Sequence, residues 1–212
     1  MKTKSVILVI CLMGLTISAS AQKKHGHHRA QLQEVVTISG TVTEWTHNDD
    51  FEYDGLYLNA ENSRVFVKFP KHLAQQARAL GNNLTVNGVY RTTRHGVQEF
   101  KMVSMSGNGQ TVHDQKPMRT YVQEPFVSGE GRVSQMQVNK SGAVHGYILD
   151  NGVVLRTSPR NAWQLAQMIQ VGSTIGYTGI EKGLKPGHVR AQDYRIVRGQ
   201  TISVGGTQYM VR

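Results

Sequence analysis

Asp54-Gly55-Leu56-Tyr57-Leu58 returns about 90 residues later as His145-Gly146-Tyr147-Ile148-Leu149, and this echo decides the fold. Working outward, Ser39-Gly40-Thr41-Val42 answers Glu130-Gly131-Arg132-Val133. Pro70, Gly81 and Gly88 answer Pro159, Gly172 and Gly179. Near the end of each copy, Gly109-Gln110-Thr111-Val112 is matched by Gly199-Gln200-Thr201-Ile202. Two copies of one small unit are therefore expected, at 35–113 and 126–212, the second ending in a C-terminal hairpin. Between them, residues 114–125 hold Pro117 and Pro125 with little periodicity, and read as a linker.

Each copy has the same order of elements. A long β-rich run (35–46 and 127–138) is followed by two strands joined by a tight polar turn. In the second copy that turn is Asp150-Asn151-Gly152, a strong hairpin signal. A short helix follows, with Ser158 expected as N-cap, Pro159 in the first turn and Gly172 past the end. Ala162, Leu165, Ala166 and Ile169 form its apolar stripe; Pro70, Leu73, Ala77, Leu80 and Gly81 repeat the pattern in the first copy. Two further strands complete each unit, at 83–90 with 98–105 and at 173–180 with 189–197. Strand, strand, strand, helix, strand, strand is the order of the oligonucleotide/oligosaccharide-binding (OB) fold. The expected fold is all-β with short helices, as two tandem five-stranded OB-fold-like barrels.

The chain resembles exported bacterial tandem OB-fold proteins. The first copy carries the resemblance in Gly40, Asp54-Gly55, Val67-Lys68-Phe69-Pro70-Lys71-His72-Leu73, Gly81 and Gly88. The second copy departs from it, reading Leu155-Arg156-Thr157-Ser158-Pro159-Arg160-Asn161, so the histidine and phenylalanine of that segment are not shared. The resemblance implies a fold and says little about activity.

The first residues read as a signal peptide, 1–21. Lys2 and Lys4 precede an apolar run over 6–15, and Ser18-Ala19-Ser20-Ala21 supplies small residues for cleavage after Ala21. The single cysteine, Cys11, lies in the apolar run with Ile10 before it, which argues against lipidation. A mature chain without cysteine has no disulfides, thiolate metal sites or cysteine nucleophile. A bacterial periplasmic or secreted location is expected. Residues 22–34 form a His-rich, basic leader in which His25, His27 and His28 are candidate metal ligands.

Charge is uneven. Residues 30–113 carry 7 Lys and Arg against 8 Asp and Glu, whereas 114–212 carry 12 against 6. A basic second half attracts polyanions. OB folds bind along strands two and three, flanked by the loops between strands one and two and between strands four and five. In the first copy, alternation turns Val65, Val67 and Phe69 inward and leaves Arg64, Phe66 and Lys68 outward, with Tyr57 facing the same way. Rings flanked by cations stack bases and hold phosphates, and they also stack sugars; an ordinary outer sheet face has the same composition. The corresponding face of the second copy reads Ile148, Val154 and Arg156, and is expected to pack on the other barrel. Loops before the fifth strands are basic: Arg91, Arg94 and His95, then Lys182, Lys185, His188 and Arg190. Trp45 reads as a barrel-rim core residue.

No hydrolase, nucleotide or metalloprotease motif occurs, and Asp49, Asp50, Glu52 and Asp54 read as loop carboxylates with no counterpart in the second copy. No enzyme activity and no cofactor are implied. The expected function is an exported binding module for an anionic oligomer, single-stranded nucleic acid or acidic polysaccharide. The alternatives are a protein-interaction scaffold in the cell envelope and metal binding by the leader.

Overall fold

The computed structural model describes residues 32–211 apart from 62, 95, 118, 119, 140, 141 and 159. The expected signal peptide and the leader histidines His25, His27 and His28 lie outside the described residues. Among the described residues no helix is long and apolar enough to cross a membrane.

Two closed five-stranded barrels stand in tandem. In barrel 1, β1 (Val36–His47) pairs with β2 (Tyr53–Ala60) and with β4 (Asn83–Thr92), all antiparallel; β2 continues into β3 (Ser63–Lys68). The barrel closes where β3 runs parallel to β5 (Gln98–Gly107), Val67 opposite Phe100 and Lys68 opposite Lys101. A short strand β6 (Gln110–His113) hairpins onto β5. Barrel 2 repeats this with β7 (Phe126–Val138), β8 (Val144–Leu149), β9 (Val153–Arg156), β10 (Thr174–Glu181), β11 (Arg195–Val204) and β12 (Thr207–Met210). A one-turn 3-10 segment (Lys71–Leu73) leading into α1 (Ala74–Ala79) plugs barrel 1, and α2 (Ala162–Met168) occupies the same place in barrel 2.

The period-2 pattern explains the cores. Leu56, Leu58, Val67, Val86, Phe100 and Met102 fill barrel 1, and Leu73, Ala77 and Leu80 cap them. Tyr147, Leu149, Leu155, Ile175, Val197 and Ile202 fill barrel 2 under Leu165 and Ile169. Trp45 packs half-buried on core 1, edge-on to Tyr53 and Phe69 at 6.1 and 6.0 Å. The repeated glycines of β4 and β10 sit at bulges, between Asn87 and Gly88 and between Thr178 and Gly179. A Cβ at Gly88 would lie 2.6 Å from the Phe100 ring, so the backbone there needs a residue without one.

Two expectations need correcting. Helix α2 starts at Ala162 with Asn161 at its N-cap, not at Ser158. Residues 157 and 158 are still tied into the sheet through Thr157 N–H to His145 O (3.1 Å) and Ser158 N–H to Val211 O (3.2 Å), so the chain cannot turn earlier. The last long strand of copy two runs Arg195–Val204 rather than 189–197. Gly199 therefore lies inside β11 opposite Gly179, and the counterpart of the Asn108-Gly109 turn is Gly205-Gly206. Both turns hold two positive φ angles (49° and 73°; 57° and 80°), as tight hairpins require. The matched Gly-Gln-Thr segments are out of phase because the loop before the fifth strand is longer in copy two, 182–194 against 93–97.

Candidate ligand-binding faces

On barrel 1 the outer face of β2 and β3 carries two rows. Tyr57 and Phe66 are direct cross-strand partners with ring centroids 5.3 Å apart. Phe66 also lies over Gly55, where a side chain would collide with its ring at 2.7 Å. The Arg64 guanidinium stacks 3.9 Å from the centre of the Tyr57 ring and pairs with Glu44. The neighbouring row is cationic: Lys68, held by Asp54 at 2.5 Å, stands beside Lys101 in the β3–β5 ladder. Arg91, at the end of β4, and Arg94, in the following loop, are exposed. Tyr90, 50% exposed and edge-on to Phe100 at 4.9 Å, adds a ring at the same end. Lys101 and Tyr90 escaped the sequence reading. Lys101 joins the face only through the β3–β5 closure, a parallel pairing of distant segments with no local signature.

Barrel 2 has the same two rows with different residues. Ile148, Val154 and Ile196 form the apolar row, in register across β8, β9 and β11. Arg156 and Arg198, register partners on β9 and β11, form the cationic row, as Lys68 and Lys101 do in barrel 1. This face is covered by barrel 1's own first loop, residues 48–52. Phe51 packs in one buried cluster with Ile148, Val154 and Ile196, and its ring meets Tyr194 edge-on at 4.7 Å. Asp50 accepts from Arg156 Nε at 3.0 Å and from Lys182 at 2.6 Å. Asp49 stands 3.4 Å from His145.

The long loop 182–194 answers from the other side. It bonds to barrel 1 through Tyr53 N–H to Val189 O (3.0 Å), Gln75 N–H to Gly187 O (3.0 Å) and Ala191 N–H to Phe51 O (2.7 Å). Val189 packs on core 1, and a Cβ at Gly187 would run into the His72 carbonyl. Glu52, 1% exposed, accepts from Lys71 at 2.7 Å and lies 3.3 Å from Lys182 and 3.6 Å from His188. Burial pushes the Glu52 carboxyl up, but Lys71 and Lys182 together outweigh it and hold it at about 2. Asp50 is likewise lowered against its burial by Lys182 and Arg156. For His188, burial is the largest influence and lowers its pKa despite Glu52.

The candidate cations thus fall into two groups. Arg64 and Lys68, paired with Glu44 and Asp54, lie with Arg91 and Arg94 on open barrel 1. Arg156, Lys182 and Arg190 converge on the barrel junction, where acidic partners or carbonyls already engage them; Arg190 donates to Tyr194 O and Lys182 O at 2.8 and 2.9 Å. Lys185 is exposed at the edge of that junction. The acids 49, 50 and 52 look like loop residues in sequence, and their role is to satisfy this basic surface.

The first loop is strained to do so. Phe51 has φ +59°, in the left-handed region, which costs a non-glycine residue about 1–2 kcal/mol. The second copy has the same loop, residues 139–143, with Gly142 (φ +80°) at the equivalent position. In both, an asparagine side chain accepts from backbone N–H groups ahead of it: Asn48 Oδ1 from Asp50 and Glu52, Asn139 Oδ1 from Ala143. Burying the Phe51 ring offsets the strain, at about 1.5–3 kcal/mol for a full side chain.

No family model and no curated protein matches this chain. Among solved structures, it is similar to the crystal structure of the tetrameric p202 HIN2, with 15% identity over 84% of this chain and 91% of that one and a TM-score of 0.24.

Proposed function

We propose that this chain is an exported, non-enzymatic binding module that holds an anionic oligomer on the open face of barrel 1, with barrel 2 as a rigid support. Export rests on the sequence of residues 1–21 alone. One observation carries the ligand class: the same two-row surface on barrel 2 is filled by a ring on the apolar row and a carboxylate on the cationic row. Barrel 1 offers Tyr57 and Phe66 in place of the aliphatic row, and Lys68 and Lys101 in place of the arginines. A ligand that presents rings next to anionic groups fits this pattern, and a single strand of nucleic acid does so at every nucleotide. Each base stacked on an aromatic side chain contributes about 1–3 kcal/mol.

The test is binding of labelled single-stranded DNA, and of an acidic polysaccharide, to the mature chain at low and moderate salt. Tyr57→Ala/Phe66→Ala is expected to weaken DNA binding about tenfold or more. Lys68→Ala/Lys101→Ala is expected to flatten the salt dependence. A double ring mutant that binds like wild type, or a wild type that binds neither polymer, defeats this reading.

A protein-interaction scaffold is the second reading, favoured by one fact: the occupant of barrel 2's face is a peptide loop. Partner binding that ignores salt and the Lys68/Lys101 substitutions supports it.

A further inference from the structure

The loop on barrel 2 has the chemistry of a substitute ligand. Asp50, Phe51 and Glu52 set out carboxylate, ring, carboxylate in sequence, as a nucleic acid strand sets out phosphate, base, phosphate. Nothing in the loop's backbone asks for a ring there, since the equivalent loop places Gly142 at that left-handed position. Phe51 is explained by what it touches: Ile148, Val154, Ile196 and Tyr194.

The fit is also incomplete. Beneath the loop, both Nη atoms of Arg156, Nδ1 of His145 and Thr157 Oγ1 are buried without a hydrogen-bond partner among the described residues, while Nε2 of His145 lies 3.4 Å from the Asp49 carboxylate. Buried donors left unmatched are costly, and the two Asp50 oxygens are taken up by Arg156 Nε and by Lys182, leaving none for the Arg156 Nη atoms. Beside the loop, a cleft of about 640 Å³ is lined by His145, Arg156, Lys182, Lys185 and Arg198 together with the loop's Asp49 and Asp50 and with Glu124, which pairs with Arg198. Its cations lie in line with the covered row, so a strand displacing Asp50 and Phe51 would find room to continue.

We propose that the face of barrel 2 is a second site for single-stranded nucleic acid, which the Asp49-Asp50-Phe51-Glu52 loop of barrel 1 occupies as a built-in mimic. The ligand class rests on the reading of barrel 1 above, and the sites are separable. Phosphates would replace the carboxylate of Asp50 on Arg156 and Lys182, and a base would replace the Phe51 ring on Ile148, Val154 and Ile196. An acidic polysaccharide, which has no ring of this kind, matches only the charges.

The experiment places Asp50→Asn/Phe51→Gly in the full chain already carrying Tyr57→Ala/Phe66→Ala/Lys68→Ala/Lys101→Ala, so that both rows of barrel 1's face are removed and the silent parent sets the baseline. Glycine suits φ +59°, and the loop keeps its backbone. Fluorescence anisotropy with a labelled oligothymidylate of about 15 nucleotides, at about 50 mM salt, is expected to show about tenfold tighter binding than the silent parent. Adding Arg156→Ala/Arg198→Ala should remove the gain. Asp50→Asn alone, which leaves Phe51 seated, should give a smaller gain of the same kind and serves if the double loop variant does not fold. Unchanged affinity in folded loop variants overturns the proposal, as does a gain that survives loss of both arginines. If Tyr57→Ala/Phe66→Ala itself leaves wild-type affinity intact, the barrel 1 reading fails, and the loop and arginine variants still decide the second site.

Discussion

Residues 48–52 and 139–143 are the same loop at the same place in two copies of one barrel. Each begins with an asparagine whose side chain organises the turn, and each passes through a left-handed residue before the next strand. The first reads Asn-Asp-Asp-Phe-Glu and is pressed onto the other barrel through Phe51; the second reads Asn-Lys-Ser-Gly-Ala, with a glycine in the place of that ring. A backbone shape inherited twice has thus been loaded once with the side chains that join two barrels. The long loop 182–194 against the short 93–97 shows the same asymmetry, since the added residues reach barrel 1. The joining elements are the places where the repeat breaks.

Converting the first loop to the second, residue by residue, tests this. Glu52→Ala, which writes in the residue of Ala143, should have the largest effect. It strips Lys71 and Lys182 of a buried carboxylate and should cost about 3 kcal/mol in chemical denaturation, the lower end for a broken buried pair because both lysines reach solvent. The same cluster predicts acid sensitivity. Glu52 and Asp50 have depressed pKa values, so their contribution is complete above the ordinary carboxylate range and is lost as pH falls towards about 2. His188 is also depressed, so the folded chain disfavours its proton, and its contribution shrinks below its ordinary 6.5. Thermal midpoints followed from pH 7 to pH 3 should fall, and should fall less in Glu52→Ala. Equal slopes would show that the cluster does not govern the acid response.

Phe51 comes next. Phe51→Ala should cost about 2 kcal/mol from the lost ring. Phe51→Gly should be the more stable of the two by about 0.5–1 kcal/mol, because glycine adopts φ +59° without strain. This order reverses the usual penalty for glycine, and urea titrations of the pair would expose a loop that is not strained. The smallest effect belongs to the second loop: Gly142→Ala should cost about 1 kcal/mol from φ +80° alone, since no atom lies within 4 Å of the added methyl. A larger loss would mean that loop 139–143 is packed against something as its counterpart is.

Much of the face on barrel 1 could be read directly. The alternation through Arg64, Val65, Phe66, Val67 and Lys68 sorts itself by strand geometry, and Tyr57 follows from the hairpin. Lys101 could not be read, because its neighbour in the sheet is 33 residues away by a parallel closure. The matched Gly-Gln-Thr segments misled the phase of β11 because likeness in sequence does not record an insertion inside a loop.

The sequence by itself determined the repeat, the strand order and which side of each strand is apolar, since these follow from period-2 alternation and from glycines and turns that act over a few residues. The apolar face of the second copy is legible as one that packs on the other barrel, and only the tertiary structure decided which segment of barrel 1 covers it. That outcome depends on Asp50, Phe51 and Glu52 meeting Arg156, Lys182 and Ile148 across about 100 residues of chain, with charge matched and a ring buried. Contacts of that kind have no period and no local motif. They exist only once both barrels have folded and placed their loops against each other.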